Sequence, residues 1–372
     1  MWQLVNSQNS GLPAGPVSAI VEDASGALWF AVYGGGLARL SPDGREWKVY
    51  RAGSSPLAND YVGALSVDAS GRVWAACDAR RVGDSAIPGA VCALSPDGAW
   101  QVTPRAAGED CIVCLEADRR GVLWLRTGGL YVSERLTECD GIREGSGRYH
   151  ASHWLSFDGA TWTPYEGDRA ALEAWYPHRP ARTRLGWELV DDIVWLVETI
   201  RPEPAKPFES SLLPGLTLVP VSMIPGMGSF VCEYNLAAYE GRSFLTAAAI
   251  PSPFRYGELV VDARGDAWVS FILLGDIVVE RGVGRFDGTA WTCFGKDGGL
   301  MYDSVVSLTA DSRGNVWCAH MLGDLSVWDG RSWSHLPGGE DGRPNEDLGR
   351  ATEDRQGRLW FPTKAGALVY TP

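Results

Sequence analysis

One spacing constrains this chain more than any other feature: an Asp, two residues, a Gly, two residues and a Trp, repeated six times. The copies are Asp23-Ala24-Ser25-Gly26-Ala27-Leu28-Trp29, Asp68…Gly71…Trp74, Asp118…Gly121…Trp124, Asp262…Gly265…Trp268, Asp311…Gly314…Trp317 and Asp354…Gly357…Trp360. An Asp that bonds the backbone amide two residues on, followed by a Gly at positive φ, makes a tight turn. A second motif alternates with the first: Asp43-Gly44…Trp47, Asp97-Gly98-Ala99-Trp100, Asp158-Gly159…Trp162, Asp287-Gly288…Trp291 and Asp329-Gly330…Trp333. The usual repeat length is 43 to 50 residues. Such a unit cannot bury both of its faces alone, so neighbouring copies must stack.

Each unit reads as four short strands. In the first, Val17-Ser18-Ala19-Ile20-Val21 is strand A and Ala27-Leu28-Trp29-Phe30-Ala31 is strand B. Leu37-Ala38-Arg39-Leu40 is strand C and Trp47-Lys48-Val49-Tyr50 is strand D. With 45 glycines in 372 residues there is ample turn-forming material. Stacked four-stranded antiparallel units predict an all-β fold, a seven-bladed β-propeller formed by residues 1–372 as a single domain. The motif Trp then have a structural role: of 17 Trp, six end the first motif, five end the second, and Trp2 and Trp195 take equivalent slots. Flat rings of this size fill the space between twisted sheets.

The blade count rests on two observations. Trp124 and Trp268 are 144 residues apart, about three repeats. One degenerate blade, about residues 187–250, accounts for that interval: Leu189-Val190-Asp191-Asp192-Ile193-Val194-Trp195 stands for strands A and B without the Gly, and Glu240-Gly241-Arg242-Ser243-Phe244 for the second motif. The last unit stops at Leu368-Val369-Tyr370 with no strand D, while Trp2-Gln3-Leu4-Val5 matches Trp47-Lys48-Val49-Tyr50. The N-terminal strand is therefore expected to complete the last blade and close the ring, which removes exposed edges. On that closure the mature N-terminus is expected near Met1.

The string Ile20-Val21-Glu22-Asp23-Ala24-Ser25-Gly26-Ala27-Leu28-Trp29-Phe30, followed by Gly34-Gly35-Gly36-Leu37, resembles the bacterial two-component-regulator propeller repeat. Asp354-Arg355-Gln356-Gly357-Arg358-Leu359-Trp360 matches it as well. The resemblance implies a propeller of the kind that forms the sensory part of hybrid histidine kinases, although no membrane helix, kinase or DNA-binding segment follows Pro372. The repeat is also similar to that of the streptogramin B lyases, seven-bladed propellers with a metal and a catalytic His, from which no catalytic residue is carried over here. A shared fold of this kind does not carry function with it.

The net charge of −13 argues against nucleic acid, whose phosphates are bound by Lys and Arg clusters. The most apolar stretch, 212–230, contains Pro214, Pro220 and Pro225, which rules out an ordinary spanning helix. The N-terminus carries no basic and apolar leader pattern. Eight scattered Cys form no disulfide framework, and the Cys111 and Cys114 pair has no partner at zinc-site spacing, so reduced thiols and the cytoplasm are expected. A leader upstream would make the location periplasmic instead. No cofactor and no metal are expected. His150, His153, His178, His320 and His335 form no H-E-x-x-H, and no G-x-S-x-G is present.

Function is sought where the repeat breaks. The A–B and C–D turns are short and uniform, while B–C and D–A segments vary, and variable loops on a rigid scaffold carry function. Long insertions fall at 77–89, 128–152, 166–186 and 199–233, forming a basic and aromatic crown over blades 2 to 4. The candidate binding residues there are Arg80, Arg81, Tyr149, His150, Trp175, Tyr176, His178, Arg182 and Arg184. Glu258 and Arg350 stand in the strand-A slot beside the channel, and His320 follows strand B toward the same face. Trp, Tyr and Arg dominate interface energetics. The expectation is a non-catalytic recognition or regulatory scaffold, a monomer outside its complex, that binds a protein partner through the crown. The alternatives are a metal-assisted lyase or hydrolase with His320 or His178 as base, and a sensor of a small anionic or aromatic molecule or a glycan. The stretch 212–230 reads either as interface or as packing that repairs the degenerate blade. Limited trypsinolysis followed by mass spectrometry is expected to nick the Arg-rich segment 179–184 first; a first cut inside a blade would mean that the crown is tightly packed.

Overall fold

The Asp-x-x-Gly-x-x-Trp string closes on itself as a single hydrogen-bonded unit in the computed structural model. In all five described copies, one carboxylate oxygen of the Asp accepts the amide N–H two residues on at 2.8–3.1 Å. The same oxygen accepts the amide four residues on at 2.8–3.1 Å. The other oxygen accepts the indole N–H of the Trp at 2.8–3.0 Å. The motif glycines Gly26, Gly71, Gly265, Gly314 and Gly357 have φ between +73° and +88°, which a side chain would make costly. The turn and the packing role of the ring match the expectation from sequence. The indole–carboxylate bond that ties one to the other was not foreseen.

The described residues are 1–104 except 83, 84 and 88; 112–117, 123–127, 130–133, 137–139, 147–150 and 154–165; 184–190, 193–200, 208–209, 217–218, 233–240, 243–250 and 255–272; and 282–372 except 288–290. The Asp118 motif, the Gly241-Arg242 turn and Cys111 lie outside them. The chain divides into two compact units, Met1–Tyr165 with Gly338–Pro372, and Glu166–Pro337.

The first unit holds four four-stranded sheets among the described residues, all antiparallel. One runs Val17–Glu22, Leu28–Val32, Gly36–Leu40, Trp47–Tyr50. The next runs Val62–Val67, Val73–Cys77, Ala90–Leu94, Trp100–Pro104, and a third runs Ile112–Ala117, Leu123–Thr127, Trp154–Phe157, Trp162–Tyr165. In the fourth, Thr352–Glu353, Leu359–Thr363 and Gly366–Tyr370 are completed by Trp2–Val5, with Trp2 opposite Tyr370 and Val5 opposite Ala367. The N-terminal strand thus supplies the outer strand that the last repeat lacks. Aromatic rings join neighbouring sheets edge to face: Phe30 with Trp360 at 5.7 Å, Tyr50 with Trp100 at 5.6 Å and Trp74 with Phe157 at 6.1 Å. Around them lie continuous apolar layers, such as Leu28, Phe30, Leu40, Trp360 and Val369 between the last repeat and the first. Removing a buried ring of this kind costs about 3–5 kcal/mol.

The strands that open the first three of these sheets carry an unforeseen irregularity. The ladder slips one residue between Val17 and Ala19, between Val62 and Ala64 and between Ile112 and Cys114. Such a bulge re-aims a side chain. Ser18, the extra residue, donates its hydroxyl to the Val62 carbonyl of the next sheet at 2.7 Å.

The second unit holds three such sheets among the described residues: Arg184–Val190, Ile193–Ile200, Glu233–Glu240, Ser243–Ile250; Arg255–Val261, Ala267–Ile272, Val283–Phe286, Trp291–Phe294; and Ser307–Ala310, Val316–Ala319, Leu325–Trp328, Trp333–Leu336. The first contains the degenerate repeat, which keeps its strands without the Gly turn. Between the other two, Trp268 is fully buried, stacked on Phe294 at 5.7 Å and edge-on to Trp333 at 6.2 Å.

Burial alone would raise the Asp68 pKa, but hydrogen bonds from Ser70, Trp74 and Arg72 outweigh it and hold the carboxyl below the usual range. Asp68→Ala strips the acceptor from the buried Trp74 indole and from two turn amides. It is expected to cost roughly 2–4 kcal/mol in chemical denaturation at pH 7. A depressed carboxyl stabilises the fold above its unfolded pKa, and that contribution fades as pH falls through the folded value. The difference between wild type and variant should therefore shrink as pH drops below the ordinary 3.8. A difference that held constant to pH 2 would remove the carboxylate from this role.

Candidate functional site

Connections between strands B and C differ sharply along the chain. In the sheets of Val17–Glu22 and Thr352–Glu353 they are a few residues long. In three consecutive repeats they carry strands of their own. Arg80–Val82 and Ser85–Ile87 form a hairpin between Val73–Cys77 and Ala90–Leu94. Leu130–Ser133 pairs with Thr137–Cys139 and Gly147–His150 between Leu123–Thr127 and Trp154–Phe157. Phe208–Glu209 pairs with Thr217–Leu218 between Ile193–Ile200 and Glu233–Glu240.

The candidate residues fall on these elements as follows. Arg80 and Arg81 stand opposite Ile87 and Ala86 in the hairpin. Tyr149 pairs with Tyr131, and His150 with Leu130. Arg184 opens the first strand of the second unit, opposite Thr199. Glu258 falls between Tyr256 and Leu259, where the ladder slips. Trp175, Tyr176, His178 and Arg182 lie outside the described residues, as does 212–230 apart from Thr217–Leu218. Arg350 is exposed and lies just ahead of Thr352–Glu353, and the Gly349 amide before it still donates to the Pro362 carbonyl of the next strand at 2.8 Å.

The base of the Arg80 hairpin is anchored by buried polar groups. The Asn59 side chain donates to the Asp78 carbonyl at 3.0 Å, and the Asp78 amide donates to the Tyr61 carbonyl at 2.9 Å. Gly63 leaves room for the Asp78 carboxylate, which would stand 3.0 Å from a Cβ there. Cys77 and Cys92 are buried free thiols beneath, with sulfurs 4.0 Å apart. Cys77 is completely buried, and the neighbouring thiol and burial push it up from its ordinary pKa.

His320 overturns its expected role. It stands at the end of its strand B in the slot of Val32 and Cys77, and like them it is completely buried. Its Nδ1 faces the Ser304 carbonyl and its Nε2 lies 2.8 Å from Ser326 Oγ. The Met301 amide donates to that same Oγ at 2.9 Å. One tautomer satisfies every group: Nδ1–H donates to Ser304, Nε2 accepts the Ser326 hydroxyl, and Ser326 accepts Met301. Burial lowers the His320 pKa, opposed by the Ser304 carbonyl and the Asp324 and Asp303 carboxylates. His320 is thus a neutral latch between the connections 295–306 and 320–324, and neither nitrogen is open to act as a base. His335 has its Nε2 2.8 Å from the Gly299 carbonyl. Among the described residues, no three His, Cys, Asp or Glu side chains converge as a metal site. No helix among them is long and apolar enough to cross a membrane.

The latch also marks residues outside the sequence-based candidates. Tyr302 packs edge-on to His320 at 5.5 Å, and Met321 and Leu322 follow it, all three largely exposed. The signal was available in the string Met321-Leu322-Gly323, two apolar residues in a turn.

No protein-family model matches the chain, and no curated protein matches it in sequence. Solved structures do match it. Virginiamycin B lyase from Staphylococcus aureus is similar with a TM-score of 0.57 at 11% identity, over 99% of this chain and 98% of that one. The β-propeller domain of Cps50 (Swd1) from Myceliophteria thermophila gives 0.56 at 10% identity, over 100% of both chains. YCF48 bound to D1 peptide gives 0.55 at 10% identity, over 100% of this chain and 97% of that one. At such identities the likeness speaks for fold alone, and the fold is a β-propeller.

A histidine whose folded pKa is lowered binds fewer protons than in the unfolded chain below the ordinary 6.5. Its contribution is therefore full above that pH and is lost as pH falls through the window beneath it. Thermal unfolding is expected to show wild type losing more stability between pH 7 and pH 5 than His320→Gln. Parallel curves would rule out the neutral latch.

Proposed function

We propose that this chain is a seven-bladed propeller, closed by its N-terminal strand, that serves as a recognition scaffold and binds a protein partner through its B–C and D–A connections. The observation that carries the reading is the placement of extra strands. They are built into the B–C connections of three consecutive repeats, while the A–B and C–D turns stay short. Elaboration confined to one class of connection serves a face rather than the fold, which the plain repeats form without it. These insertions carry Arg80, Arg81, Arg148, Tyr149 and His150, with Arg182 and Arg184 close by in sequence, on a chain of net charge −13. A local basic and aromatic surface on an acidic body favours an acidic partner face, steered electrostatically and anchored by Arg and Tyr.

Resemblance to the two-component-regulator repeat supports a regulatory setting, and the buried free thiols Cys77, Cys92 and Cys318 accord with the cytoplasm. YCF48, similar in fold, is a propeller solved with a bound peptide. The reading is tested by affinity capture from a lysate of the source organism with three baits: wild type, Arg80→Glu/Arg81→Glu, and a variant lacking residues 170–184. Loss of the same captured protein from both altered baits, with unchanged thermal unfolding, is expected. Identical captures from all three would sink the crown as an interface.

A further inference from the structure

A second surface lies in the second unit, on connections that carry no insertion. Four of the largest exposed apolar side chains in the described residues gather there. They are Tyr302 (46% exposed) and Val306 (36%) on the connection into Ser307–Ala310, and Met321 (56%) and Leu322 (55%) on the connection out of Val316–Ala319. The two connections are held side by side. The His320 latch joins them, the Val306 amide donates to the Ala319 carbonyl at 2.8 Å, and the Tyr302 hydroxyl bonds the Asp324 carboxylate. Isolated exposed apolar residues need no explanation, but a fixed group of them marks an interaction site.

Leu322 adds an independent sign. Its backbone is left-handed, at φ 61° and ψ 23°, and Gly323 follows at φ 81°. Two successive positive-φ residues are the pattern for which Asn-Gly is the favoured pair. A branched apolar residue there is strained, yet leaves more than half of its surface to solvent. Folding alone would favour Asn at this position, so a demand other than folding accounts for Leu.

The surroundings define what fits. Asp324 is bonded by Tyr302, Asp303 acts on His320, and Asp297 lies on the same connection, against Lys296 as the one described basic residue on these two connections. Asp303 is held in place by the Lys296 amide. We infer that Tyr302, Val306, Met321 and Leu322 form a docking surface for a partner segment with apolar residues flanked by Lys or Arg. The apolar side chains take up the segment's core and the carboxylates its flanks, and the net negative charge of the chain attracts it from a distance. The charge preference is opposite to that of the crown, so this is a second surface rather than an extension of the first.

The test uses the full chain and immobilised ten-residue peptides with a central apolar pair, flanked by Lys/Arg, by Asp/Glu or by Ser. Wild type should bind the basic set at least ten-fold more tightly than the other two, and less tightly as salt is raised. Leu322→Asn should lose at least ten-fold in affinity while unfolding at an equal or higher temperature. Asp303→Asn/Asp324→Asn should erase the preference for basic flanks. Arg80→Glu/Arg81→Glu, which makes the chain more negative, should not weaken peptide binding, which separates this surface from the crown. Equal binding of all three peptide sets, or binding indifferent to Leu322→Asn, overturns the proposal. So does a dimer in sedimentation that Leu322→Asn dissolves, because the occupant would then be a second copy of the chain.

Discussion

Everything regular in this structure depends on one carboxylate shared between a turn and an indole. In each described copy, the motif Asp caps the amides of the turn with one oxygen and holds the Trp ring with the other. The turn fixes the pairing of strands A and B, and the indole bond fixes the orientation of the ring on strand B. The bond thereby converts a local turn into a packing surface, because the same ring meets the neighbouring sheet. In two repeats an Arg joins in. Arg72 and Arg358 bond the Asp at 2.7 and 2.6 Å while lying over the Trp ring at 5.0 and 5.1 Å. A buried carboxylate is tolerable when each oxygen is satisfied in this way.

That economy separates scaffold from function. The repeats need only their motifs, apolar layers and short turns, so the other connections are free to vary. They vary in two ways. Three consecutive repeats add strands bearing Arg, Tyr and His, while the repeat that contains His320 keeps its connections short and exposes apolar side chains among carboxylates. The first device enlarges a surface and the second uses a strained residue to shape one. A buried histidine, chemically available for catalysis in many settings, here holds two connections together.

The scaffold was largely legible in the sequence because its determinants are local. The Asp-to-Trp offset lies within one turn and one strand, and the likeness of Trp2-Gln3-Leu4-Val5 to Trp47-Lys48-Val49-Tyr50 was enough to place the N-terminal strand beside Gly366–Tyr370. The site was much less legible. His320 was read by its place after strand B, but that place is the buried end of the strand. Comparison of His320 with Val32 and Cys77 at the same offset would have revealed its burial. Leu322 looked like an ordinary apolar residue, since a sequence carries no sign of its φ.

The repeating sheet, its turns, its Trp packing and the pairing of its two ends were all legible in the order of residues. These follow from contacts between residues a few positions apart or from direct copies of a motif. Which side chains at the ends of the strands are enclosed and which are presented was set by long-range packing. That outcome depends on how the connection entering a sheet packs against the one leaving its second strand, as Ser304 and Ser326 do around His320. Such contacts join residues whose spacing follows no motif, so the same letters yield a latch, a solvated arginine or an exposed leucine according to what folds over them.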